Sequence, residues 1–332
     1  MGEENWMKKV VFFTDLNKIK EAYEFFNIDS FKNEKFPLKI HMGEVKNKYF
    51  PKPKIIKPFI DELLNIESKP FFYDTTVAYP GLRHYKKGYQ KVAKIHGYHK
   101  FGLDIVIDDK GKIIKINNYD FEVGETLVKF DNIFAYSHVK GHIAVGFGGA
   151  IKNFGMGGVT KETKIFMHNA SKPEIQKDKC TYCGVCAEVC PFNAITVKNN
   201  NWEISNRKCF GCGVCVDNCS SGGLLNQTEN LQYLLACSAL ACVKDKNVLY
   251  VNDVNRISRG CDCDPCSGPI ICPDIGFLVS DDPVAIDKAS FDLVQDIKPD
   301  IFSKENNVDP IKQINYGEDI GLGTTNFQLI EL

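Results

Sequence analysis

Short apolar runs alternate along this chain with stretches whose apolar residues recur every three to four positions. Runs at 10–13, 38–41, 71–73, 103–107 and 133–136 read as strands, and 19–26, 55–66 and 85–95 read as the helices between them. The pattern resumes late in the chain: 231–243 reads as helix and 248–251 and 275–279 as strands, and Asp282-Pro283 opens a helix running to about Val294. Such alternation predicts βαβ units, and so an α/β fold with a mainly parallel sheet covered by helices. Between 173 and 225 the pattern breaks. The expected organisation is therefore a discontinuous α/β host, residues 1–172 and 226–332, carrying a small inserted α+β module at 173–225.

The insert is defined by its cysteines. Cys180, Cys183, Cys186 and Cys190 form a CxxCxxCxxxCP run, and Cys209, Cys212, Cys215 and Cys219 repeat it without the final proline. Two-residue gaps bring three thiolates to one face of a [4Fe-4S] cubane, and in bacterial two-cluster ferredoxins the fourth cysteine of each run crosses to the other cluster. The expected ligand sets are Cys180, Cys183, Cys186 and Cys219 for one cluster and Cys209, Cys212, Cys215 and Cys190 for the other. Zinc knuckles pair their cysteines across longer gaps and fit this spacing poorly. Residues 195–197 and 202–204 read as a hairpin around three asparagines. A module of about fifty residues buries little surface alone, so metal loading is expected to be coupled to its folding.

Composition narrows the function classes. The net charge of -1 and the 25% charged residues give no electrostatic case for nucleic acid or an anionic membrane. No run approaches the roughly 20 apolar residues of a membrane span, and residues 1–9 lack the apolar core of a secretory leader. Cytoplasmic residence is expected, where fourteen cysteines imply metal or redox chemistry instead of disulfides. Charges within 173–225 cancel, which suits an internal wire better than a diffusing carrier.

Three host features carry further chemistry. The glycine-rich stretch from Gly146 to Gly158 matches no nucleotide-binding pattern, but Gly148 and Gly149 offer backbone amides that a ligand can approach, or else simply pack the insert. His138 and His142 precede it, Lys152 lies within it and His168 follows. The order suggests a site, with His142, Lys152 and His168 as candidate catalytic groups and Asp74, Arg83, His138, Gly148 and Gly149 as candidate substrate contacts. A third group, Cys261, Cys263, Cys266 and Cys272, sits in a proline-rich loop that offers ligands for zinc or a further cluster, or remains a reduced thiol loop.

The segments from Asp74 to Arg83, Ser137 to Gly157, Gly260 to Cys263 and Pro273 to Ser290, together with the inserted ferredoxin, resemble the domain of unknown function 362 family across nearly the whole chain. That resemblance implies a ferredoxin-bearing α/β protein of anaerobic or microaerophilic prokaryotes and supplies no reaction. The stretch from His142 through Lys152 to His168 looks more distantly like the core of nickel-pincer lactate racemase. There the lysine carries the cofactor, the late histidine ligates nickel and the early one is acid or base. The DxTRP signature of that family is missing, since Asp74-Thr75-Thr76 runs into Val77 and Arg83 comes later. A shared fold and pocket are expected, and a nickel-pincer cofactor is not.

Together these readings predict an iron-sulfur protein moving electrons to a small anionic substrate or cofactor, an oxidoreductase with a redox partner protein. Two alternatives stand beside it: an electron-transfer subunit docking on a separate enzyme, and a metal-centred isomerase with structural clusters.

Overall fold

The computed structural model describes residues 7–225 and 227–332. Eight strands form the central sheet: β1 (Lys8–Phe13), β2 (Lys35–Ile40), β3 (Lys69–Thr75), β4 (Ile105–Asp108), β5 (Asn132–His138), β6 (Asn247–Val254), β7 (Gly276–Ser280) and β8 (Phe327–Glu331). Their order is β8-β1-β7-β6-β5-β2-β3-β4, parallel throughout except where β7 runs antiparallel between β1 and β6. The fold is the α/β class with a mainly parallel sheet.

Side chains alternate across each strand, so adjacent residues enter opposite layers. Phe134 and Tyr136 join one apolar cluster with the helices α1 (Ile19–Glu24), α2 (Pro53–Asn65) and α3 (Lys86–Ile95). Ile133 and Ala135 join the other, with α4 (Ala150–Gly155), α5 (Lys161–Ala170), α6 (Thr228–Val243) and α7 (Pro283–Ile297). The Asp282 carboxylate caps α7 by accepting from Val284 N and Ala285 N, both at 2.9 Å, with Pro283 in its first turn.

From β2, the chain's parallel neighbours run outward to β3 and β4 on one side, and through β5 to β6 on the other. The crevice beyond the carboxyl ends of β2 and β5 is therefore a topological switch point, where open α/β sheets bind ligands.

Residues 173–225 hold two two-stranded pairings and two one-turn helices. Glu174–Ile175 pairs antiparallel with Leu224–Leu225, so this segment enters and leaves side by side. The Ile195–Lys198 and Asn201–Ile204 strands form the expected hairpin, with Asn199 and Asn200 both left-handed (φ 50° and 55°), the conformation a two-residue turn needs. Its own buried apolar cluster is small, Ile195, Cys215 and Leu224, while Cys212 joins the core of the host. Among the described residues no helix is long and apolar enough to cross a membrane.

Candidate functional site

A cleft of about 980 Å³, its open mouth included, fills the switch point. Strand parity explains one of its walls. Phe36, Leu38 and Ile40 of β2 turn into the layer of α1, α2 and α3, so Lys39 between them must face the opposite side, into the cleft. There its buried ammonium meets Asp74 Oδ1 at 3.0 Å and donates to Asn153 Oδ1 at 2.7 Å. Burial lowers the Lys39 pKa against the pull of Asp74. Tyr89 OH donates to the other Asp74 oxygen.

Lys164 of α5 donates to Thr75 Oγ1 at 2.7 Å and to the Thr76 carbonyl at 2.5 Å, and burial pushes its ammonium down to about 7. Lys140 reaches Asp262 at 3.1 Å, and that carboxylate also meets His138 Nδ1 at 2.9 Å. Despite complete burial, His138 and Lys140 hold Asp262 well below the usual carboxylate range. Lys39, Lys140, Lys152 and Lys164 all line the cleft, against one lining carboxylate, Asp74.

The short helix α4 presents Lys152 and Asn153. Its first amides, Ala150 N and Ile151 N, donate to Asp287 at 2.6 and 2.9 Å. Gly149 has to be glycine because a Cβ there would run into the Asp287 carboxylate, and Gly148 leaves room for the Lys152 stem. Asn153 Nδ2 donates to the Tyr136 carbonyl at 3.1 Å and to Ser137 Oγ at 3.0 Å, tying α4 to β5.

Lys152 Nζ lies 3.4 Å from Cys261 Sγ. The sulfurs of Cys261 and Cys263 and a ring nitrogen of His142 lie within 4.8 Å of one another, a spacing that can hold a metal ion. The Cys263 thiol bonds to Cys261, which holds Cys261 well below the ordinary thiol range and pushes Cys263 up. Burial, then the positive charges of Lys152 and its neighbours, keep His142 neutral.

The four thiols of the late loop do not share one place. Cys261 and Cys263 face the cleft, Cys266 is exposed, and Cys272 is buried in the host core with Lys298 and Asp274 as its charged neighbours. Arg83 lies behind the cleft, fully buried, bonded to Glu44 at 2.9 Å, His41 at 2.6 Å and Tyr79. It braces the wall and does not line the cleft. The other sequence candidates, Asp74, His138, His142, Gly148, Gly149, Lys152 and His168, all line the cleft. Lys39, Lys140, Lys164 and His41 went unselected, although a lysine inside an apolar strand such as Phe36-Pro37-Leu38-Lys39-Ile40 is a signal in itself.

Two smaller cavities lie in the 173–225 segment. Cys180, Cys183, Cys186 and Cys219 line one of about 330 Å³, and Cys190, Cys209, Cys212 and Cys215 line another of about 300 Å³. Four thiols around each is the donor set of a cubane, and backbone N–H groups already face sulfur: Ala194 N to Cys190 at 3.3 Å and Gly211 N to Cys209 at 3.4 Å. Where the second run lacks its proline, the Ser221 hydroxyl sits 3.6 Å from Cys219 Sγ. Phe210 lines both the second cavity and the cleft. His168 donates through Nδ1 to the Phe210 carbonyl at 3.2 Å, and their ring centroids are 4.3 Å apart. Burial pushes His168 down to about 4, so it is neutral at ordinary pH.

Fold and site describe an α/β protein with a lysine-rich switch-point cleft beside a cysteine-rich segment. The model of the domain of unknown function 362 (DUF362) matches residues 37–292, and the chain belongs to that family. No curated protein matches it. Among solved structures it is similar to the lactate racemase apoprotein from Thermoanaerobacterium thermosaccharolyticum, at 14% identity and TM-score 0.37 over 76% of this chain and 52% of that one. It is also similar to a protein from Thermotoga maritima, at 10% identity and TM-score 0.40 over 72% and 50%. The chain spans about half the length of these structures.

Proposed function

We propose that this protein is an iron-sulfur oxidoreductase of the cytoplasm in which residues 173–225 hold two [4Fe-4S] clusters and pass electrons into the cleft of the host, residues 1–172 and 226–332. The observation that carries the reading is Phe210, which walls both the second cysteine cavity and the cleft. The clusters, when bound, supply single low-potential electrons. The first cavity suits an entry point for a redox partner protein, since Cys183 is exposed and Val185 beside it presents apolar surface.

The host residues hold the acceptor. Lys39, Lys140, Lys152 and Lys164 attract a small anion, and Val145, Met156, Leu231 and Leu235 on the apolar wall limit water around it. Asp74 orients Lys39 at 3.0 Å and Asp262 orients Lys140 at 3.1 Å, so neither cation is free to leave its post. His142, neutral and buried, accepts the Ala144 N–H at Nδ1 and so can donate a hydrogen bond from Nε2 to the bound anion.

Iron and acid-labile sulfide counted per chain, with low-temperature EPR of the reduced protein, test the reading. About eight irons with matching sulfide and signals from two interacting cubanes are expected, at four irons per cubane. Zinc in place of iron, or iron without sulfide, overturns it.

A further inference from the structure

Cys261 and Cys263 are reactive groups that two cubanes leave unused. Both line the cleft. The chain turns tightly between them, with Asp264 N donating to the Cys261 carbonyl at 2.9 Å and Cys263 N to Cys261 Sγ at 3.3 Å. That turn draws the pair toward the short Cα separation of about 4.4–6.8 Å that a disulfide spans.

The surroundings separate two uses of these sulfurs. A dication needs lone pairs, whereas a thiolate needs donors. Around Cys261 Sγ the neighbours are donors: the Lys152 ammonium at 3.4 Å and the Cys263 amide at 3.3 Å. His142 Nδ1 accepts the Ala144 N–H at 3.2 Å, so its lone pair is already engaged and the neutral ring carries its proton on Nε2. Lys152 would also repel a second cation at this distance.

We propose that Cys261 and Cys263 are a redox-active pair that cycles between a dithiol and an intramolecular disulfide on the wall of the cleft, storing two electrons for an anionic two-electron acceptor bound there. The inference rests on the electron-transfer reading above. In the reductive half the S–S bond breaks as two electrons arrive singly from a low-potential donor of the iron-sulfur class. One proton from solvent goes to Cys263, and Cys261 stays a thiolate against Lys152. In the oxidative half the S–S bond re-forms, and the two electrons with the Cys263 proton pass to the acceptor. Pairing two one-electron carriers with one two-electron group resolves the mismatch between cluster chemistry and a closed-shell substrate.

The test uses the full chain, purified without oxygen and equilibrated across dithiothreitol redox buffers. Free thiols are trapped with iodoacetamide, and the peptide holding both cysteines is read by mass spectrometry. On the tryptic peptide Gly260–Lys288, which also holds Cys266 and Cys272, a two-electron transition is expected from four alkyl groups to two, with the unalkylated pair lighter by two hydrogens. Cys261→Ser and Cys263→Ser abolish it, and Cys266→Ser, in the same loop but exposed, leaves it unchanged. Four alkyl groups at every potential overturn the proposal. So does a zinc or iron ion bound at the pair and lost in Cys261→Ser. A second arm replaces dithiothreitol with reduced methyl viologen in wild type and in Cys212→Ser, a change in the second cavity. Reduction of the pair by viologen in wild type and its loss in the variant support both readings. Reduction by dithiothreitol, together with a viologen reduction that does not depend on Cys212, leaves the dithiol standing and defeats only the wire.

Discussion

Four lysines reach the cleft, and their partners make them different instruments. Lys39 and Lys140 are each matched by a carboxylate, Asp74 and Asp262, and stay fixed. Lys164 has only neutral acceptors, Thr75 Oγ1 and the Thr76 carbonyl, and titrates at about 7. Anion binding should therefore strengthen as pH falls through about 7. Sulfate, whose own charge is constant there, should bind about tenfold more tightly once the ammonium forms, an effect of about 1.4 kcal/mol. Calorimetric titration in wild type and Lys164→Met checks this: the variant should lose the pH dependence, and a flat wild-type profile would refute the assignment. His168 predicts an effect of the opposite kind, on stability. Its buried ring takes a proton only near 4, while the unfolded ring does so near 6.5, so between those values the unfolded state binds more protons. Stability should rise with pH across that window and fall as pH drops through it, by at most about 3 kcal/mol for this group. His168→Gln should flatten that part of the urea-midpoint profile; an unchanged slope would show that the ring is not held neutral.

At the scale of elements, α4 is the piece that aims the chemistry. Its six residues carry Lys152 and Asn153, and its start is anchored by Asp287 of α7, whose carboxylate also accepts from Asn252 at 2.9 Å. That carboxylate cannot retreat from an added methyl, so Gly149→Ala should cost about 1–3 kcal/mol and swing Lys152 away from Cys261. Denaturant unfolding measures the first effect and sulfate affinity the second; a neutral substitution would mean the anchor is not tight. The strands β1 to β7 and the helices α1, α2, α3, α6 and α7 were all legible in the sequence, because each buries a face whose period shows in its apolar residues. The hairpin of Gly111–Ile116 and Tyr119–Gly124 was not, and neither was β8. On that hairpin Phe121 and Val123 face the core while Ile113 points outward, so one outward apolar residue breaks a short alternation, and β8 is an edge strand without a fully buried residue. The antiparallel course of β7 was equally hidden, since direction leaves no mark on a strand's composition. The glycine run reads as turns by composition, yet Gly146–Gly148 pairs with Lys140–His142 and α4 begins two residues later.

For the whole molecule, two large apolar layers hold the sheet, whereas residues 173–225 bury only Ile195, Cys215 and Leu224 as their own core. If that segment holds its iron as proposed, removing the metal with a chelator should melt it and leave the sheet folded. Hydrogen exchange should show protection lost at the Ile195–Lys198 hairpin and retained in β5 and β6; equal protection in both would argue that the segment needs no metal. Cysteine spacing by itself grouped three thiols of each run, because residues two apart lie on one loop whatever the rest of the chain does, whereas Cys219 joins the first three and Cys190 the second three only in the folded segment. The sequence equally determined the α/β class, through strand and helix periods that are local properties. The cleft was decided only by the tertiary structure. Lys39, Lys140, Lys152, Lys164 and the Cys261–Cys263 pair come from well-separated stretches of chain, and they meet because the strand order brings the ends of β2 and β5 together. No local pattern encodes that adjacency. The same holds for Arg83, whose charge marked it as a ligand contact until its burial against Glu44 showed it bracing the wall.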